Sequence, residues 1–73
     1  MRVYLVMNNQ VIDIEYDLKR ADKQAEALSK SFGEFIVVAT PRKMRFCYDN
    51  GRKVEMSGKL SRDTAEAIRR LNR

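Results

Sequence analysis

The spacing of apolar residues changes period several times along the chain, and each change marks an element. Arg2 to Met7 and Gln10 to Tyr16 are β-rich runs on either side of Asn8-Asn9, residues that tolerate the positive φ of a two-residue hairpin turn. That turn predicts Arg2 opposite Glu15, Tyr4 opposite Asp13 and Val6 opposite Val11. It gathers Val3, Leu5, Ile12 and Ile14 on one face, whereas a three-residue loop would set Leu5 against Asp13. From Leu18 the period becomes helical: Leu18, Ala21, Ala25, Leu28 and Phe32 form one apolar stripe, with Asp17 as N-cap and Gly33 as the stop.

Glu34 to Thr40 is an apolar, β-branched strand ended by Pro41, followed by Lys43 to Tyr48 and Arg52 to Ser57. A tight connection at Pro41-Arg42 aligns Phe35, Val37 and Ala39 with Met44, Phe46 and Tyr48. Between the last two strands, a three-residue loop Asp49-Asn50-Gly51 brings Met44, Phe46, Val54 and Met56 together and sets Arg45 across from Glu55, although Asn50-Gly51 alone suggests a shorter turn. Ser61 caps a short helix from Arg62 to Leu71 whose apolar side is Ala65, Ile68 and Leu71, helped by Leu60.

The expected fold is therefore α+β, in the order ββα-βββ-α: an antiparallel sheet with Leu18 to Phe32 across one face and a short C-terminal helix, 61–72, that is weakly anchored. Tyr4, Val6 and Val11, with Ile36, Val38 and Cys47, fall on the other face. Some of these must be covered by the C-terminal helix or by a partner.

Composition narrows the function classes. A chain of 73 residues holds one small domain, 1–73, burying roughly 60% of its unfolded surface, so a deep catalytic cleft is not expected. The single cysteine, Cys47, excludes an internal disulfide and a cysteine metal cluster, and suits a reducing cytoplasm. Neither a cleavable leader nor a membrane-spanning run is legible. The net charge of +5 is uneven: Met1 to Thr40 carries −1, and Pro41 to Arg73 carries +6.

The chain contains no histidine, which removes the usual base at neutral pH and the commonest metal ligand. Gly33, Gly51 and Gly58 are isolated and form no phosphate-cradling loop. Asp13 and Glu15 alternate along a strand beside Arg2 and Tyr4, as on a solvated strand face. Cys47 lies near Arg45 and Lys53, which could lower a thiol pKa, but a lone strand cysteine is more often a small apolar filler. No catalytic residue, metal, cofactor, membrane or small-molecule substrate is expected.

Binding is the remaining class, and two surfaces compete for it. Tyr4, Val6 and Val11, joined by Arg45, form an apolar patch suited to a protein partner, or ordinary packing on the second face. Arg42, Lys43, Arg45, Arg52 and Lys53 cluster around one hairpin, and Arg62, Arg69, Arg70 and Arg73 follow on the last helix; together they suit nucleic-acid phosphates or an acidic protein, or serve only solubility. Arg45 with Glu55 and Glu66 with Arg70 are plausible local pairs. Phe46 and Tyr48 could stack bases, although the register turns both inward.

The opening MRVYLVMNNQVIDIEYDLKRADKQAEALSKSFGEFIVVAT resembles the hairpin-helix-strand core of many very small phage proteins that take over the host. With its length, basic balance and missing catalytic groups, the chain is similar to phage regulators that bind bacterial RNA polymerase, inhibiting initiation or promoting antitermination. The resemblance implies a steric, non-catalytic regulator of polymerase in the host cytoplasm. It assigns no role to any residue. The alternative is a nucleic-acid-binding module built on the basic second half.

Overall fold

The computed structural model describes residues 1–72. The elements run β1 (Val3–Met7), β2 (Gln10–Glu15), α1 (Leu18–Phe32), β3 (Phe35–Ala39), β4 (Met44–Asp49), β5 (Arg52–Val54) and α2 (Arg62–Leu71). All five strands join one antiparallel sheet in the order β2-β1-β3-β4-β5, so the fold is α+β with the expected element order.

Two-residue turns shape the outer hairpins. Asn8 and Asn9 take φ of 51° and 63°, and Asn50 and Gly51 take 49° and 84°, the paired positive values whose twist suits adjacent strands. The second turn corrects the expected three-residue loop. Asp49 pairs with Arg52, Tyr48 with Lys53 and Cys47 with Val54, and β5 ends there. Arg45 therefore has no ladder partner in Glu55. Gly51 suits the turn because its positive φ is strained for other residues, and its amide donates 2.8 Å to the Ser29 hydroxyl on α1.

Both long hairpins keep the expected register next to their turns and then slip by one residue. Val6 pairs with Val11 as predicted, but Leu5 then pairs with Asp13 and Tyr4 with Ile14, leaving Ile12 as an extra residue in β2. Likewise Ala39 pairs with Met44 as predicted, after which Val38 pairs with Phe46 and Ile36 with Tyr48, so Arg45 is the extra residue in β4. Each bulge changes which residues share a face.

The face under α1 is built from Val3, Leu5, Ile36, Val38 and Tyr48 with Ala21 and Ala25, and is edged by Met7, Ile12, Leu18, Leu28 and Phe46. Ile36 and Val38 thus belong to the α1 core, whereas Val37, Ala39 and Ile14 belong to the other side, the reverse of the expected assignment. The helix stripe is also rotated slightly. Phe32 is 54% exposed, and Ser29 is buried in its stead, its hydroxyl donating 2.9 Å to the Glu26 carbonyl. The ends follow the sequence: Asp17 accepts from the Lys19 amide at 3.3 Å, and Gly33 turns left-handed with φ 63°.

The second face is closed by α2. Tyr4, Val6, Ala39 and Ile68 are buried there, with Val11, Ile14, Val37 and Leu60 packed around them. The helix presents Thr64 and Ile68 inward, while Leu71 is half exposed. Its start is fixed by Ser61, whose hydroxyl accepts from the Thr64 amide at 3.2 Å, and by the Thr64 hydroxyl, which donates 3.3 Å to Asn9 Oδ1. Beyond its last turn, Asn72 Oδ1 accepts from the Tyr4 hydroxyl at 3.0 Å and from Arg2. The helix expected to be weakly anchored is tied to β1 and to the first turn.

A polar contact ties α1 to the far strands. The Tyr48 hydroxyl donates to Asp22 Oδ1, and Lys53 Nζ reaches Asp22 Oδ2 at 3.2 Å while lying 4.3 Å from the centre of the Phe46 ring. Burial, followed by the hydrogen bond and negative charge of Asp22, pushes the Tyr48 hydroxyl up to about 12. Because this exceeds the unfolded value of about 10, the associated stability is complete below pH 10 and is lost as pH rises towards 12. We expect Tyr48→Phe to cost about 1 kcal/mol at neutral pH, and its deficit against the parent in urea unfolding to shrink between pH 10 and 12. A deficit that stays constant across that interval would contradict this assignment.

Candidate functional site

Tyr4 and Val6 are buried and Val11 is half buried. The expected apolar docking patch is therefore interior packing beneath α2, a correction that follows from the helix seating on this face. Arg45, the fourth member of that set, is exposed and faces a different environment.

That environment lies at one end of the sheet. In an antiparallel order, the start of β1, the end of β3 and the start of β4 come level with one another, as the pairings of Tyr4 with Ala39 and of Ala39 with Met44 require. The Thr40 amide donates 2.9 Å to the Lys43 carbonyl, which closes the Pro41-Arg42 turn tightly and leaves its side chains outside. The bulge in β4 places Arg45 beside them. The result is an open depression of about 650 Å³ lined by Met1, Arg2, Thr40, Pro41, Arg42, Lys43 and Arg45.

Four basic side chains line this depression, and among the described residues no carboxylate does. Among the described residues, the ion pairs are Lys53 with Asp22 and Arg70 with Glu66, so none of the four is neutralised by a salt bridge. Arg2 also donates to Asn72, a neutral amide that brings no opposing charge. Arginine and lysine in this setting suit an anion with several oxygen acceptors.

The other basic candidates do not converge here. Arg52 and Lys53 follow the Asn50-Gly51 turn at the opposite end of β4, and Lys53 is engaged by Asp22 and Phe46. Arg62 opens α2, Arg69 and Arg70 occupy its last turn, and Arg70 holds the expected pair with Glu66 at 3.3 Å. Arg73 lies outside the described residues. Arg2 was missed as a site residue because only the strand order brings residue 2 beside residues 42 to 45.

The remaining candidates have structural explanations. Phe46 and Tyr48 meet edge to face with centroids 6.1 Å apart on the α1 side, which closes them to base stacking. Cys47 is fully buried with Met44 Sδ 3.6 Å away, and burial pushes its thiol pKa up, against reactivity. The Asp13 carboxylate accepts from the Ile14 amide at 2.9 Å, beside the bulge in β2.

Because Tyr4 fills the space under α2, Tyr4→Ala should destabilise the fold by about 3–5 kcal/mol, read as a lowered urea midpoint. A variant as stable as the parent would mean that α2 does not cover this face. Compared with protein-family models, curated proteins and solved structures, the chain matches none.

Proposed function

We propose that the protein is a non-catalytic binding module for nucleic-acid phosphates, engaged through Arg2, Arg42, Lys43 and Arg45. The observation that carries this reading is the convergence of four basic side chains in one open depression that, among the described residues, has no ion-pair partner and no lining carboxylate. Phosphate binding releases condensed counterions, and clustered arginines and lysines are well suited to it. The depression is open to solvent at the end of the sheet.

The host polymerase implied by the resemblance to small phage regulators would have to be met through the same charge, since Tyr4 and Val6 lie beneath α2. Polymerase binding through an acidic surface is thus the competing outcome of the same experiment.

The test is fluorescence anisotropy of a labelled oligonucleotide across a salt series. Neutralising about four phosphates should give a log-log slope near −3. Arg42→Glu combined with Lys43→Glu should remove most of the affinity and flatten the slope, with the thermal midpoint little changed because both side chains are exposed. A folded protein that binds no nucleic acid at low salt, or that captures purified polymerase with unchanged affinity after nuclease treatment, contradicts the proposal.

A further inference from the structure

We infer that the ligand of the basic depression is single-stranded and that Tyr16 is the platform on which one of its bases stacks. This deepens the proposed function and depends on it. The β1–β2 ladder ends with Val3 opposite Glu15, so Tyr16 leaves β2 at the same end of the sheet at which Arg2 enters β1. Tyr16 is 67% exposed, whereas the other two tyrosines, Tyr4 and Tyr48, are buried. The chain has no tryptophan. An exposed ring at the same end of the sheet as four basic side chains has the composition of a single-strand site, in which the charges follow the backbone and the ring takes a base of any identity.

The dimensions agree with that use. From β2 across β1 and β3 to β4 is three strand spacings, about 14 Å, a distance a few nucleotides of extended strand can cover. Glu15 and Asp17 flank Tyr16 in the chain, and their charge turns phosphate away from the ring. A base on the ring, with its backbone directed towards Arg2 and the depression, satisfies both constraints. A duplex keeps its bases stacked inside and gives an isolated aromatic ring nothing to receive.

The test uses the full chain, a thymidine oligomer of about 12 nucleotides and the matching duplex at low salt. The oligomer should bind more tightly than the duplex and quench tyrosine fluorescence, which would report Tyr16 because the buried rings do not meet the ligand. Tyr16→Ala should weaken the oligomer by roughly 5- to 150-fold without changing the thermal midpoint, and Tyr16→Phe should bind like the parent. Unchanged affinity of Tyr16→Ala, or a duplex bound more tightly than the oligomer, would overturn the stacking inference and leave phosphate binding standing. Failure of both probes to bind at low salt would overturn both.

Discussion

Tyr4 holds the two halves of the chain together. Its ring lies buried between β1 and α2, and its hydroxyl reaches Asn72 beyond the end of that helix. The four residues Val3 to Val6 are all buried, alternating between the α1 core and the α2 core. A strand apolar on both faces needs a layer on each side, and here both layers come from the same short chain. Helix α2 has only 10 residues, too few for much helix in isolation, so its order derives from this packing and from the caps at Ser61 and Asn72.

Covering the second face has a direct consequence for recognition. Once α2 is seated, the apolar anchors Tyr4 and Val6 are interior, and the end of the sheet where β1 begins and β3 ends presents four basic side chains and the Tyr16 ring to solvent. The β4 bulge contributes to both arrangements. It sets Phe46 and Tyr48 opposite Val38 and Ile36 in the α1 core, and it leaves Arg45 unpaired beside the Pro41-Arg42 turn. One extra residue thereby completes a core and supplies a cation to the depression.

The class of fold was legible because its signals are local. The helical stripe and caps of α1, the Asn8-Asn9 turn and the Ser61 cap each depend on a few neighbouring residues. The assignment of faces was not legible. In Phe35–Ala39 every side chain is apolar, so a period of two cannot tell one face from the other, and single-residue bulges at Ile12 and Arg45 invert whatever parity the turns establish. The two-residue turn at Asn50-Gly51 has the same origin: gathering Met44, Phe46, Val54 and Met56 on one face requires the longer loop, but these strands are apolar on both faces. Of the site, Arg42, Lys43 and Arg45 were visible as a charged cluster, whereas Arg2 and Tyr16 joined them only through the strand order.

Ligand binding at the basic end of the sheet should leave α2 seated over Tyr4. Amide chemical-shift mapping of isotope-labelled protein during titration with a short oligonucleotide at low salt tests both parts together. Perturbations are expected to be confined to Arg2, Tyr16, Thr40 and residues 42 to 45, with the Val6, Val11 and Ile68 amides unchanged. Perturbations centred on Tyr4, Val6 and Ile68, accompanied by loss of the α2 signals, would contradict that expectation.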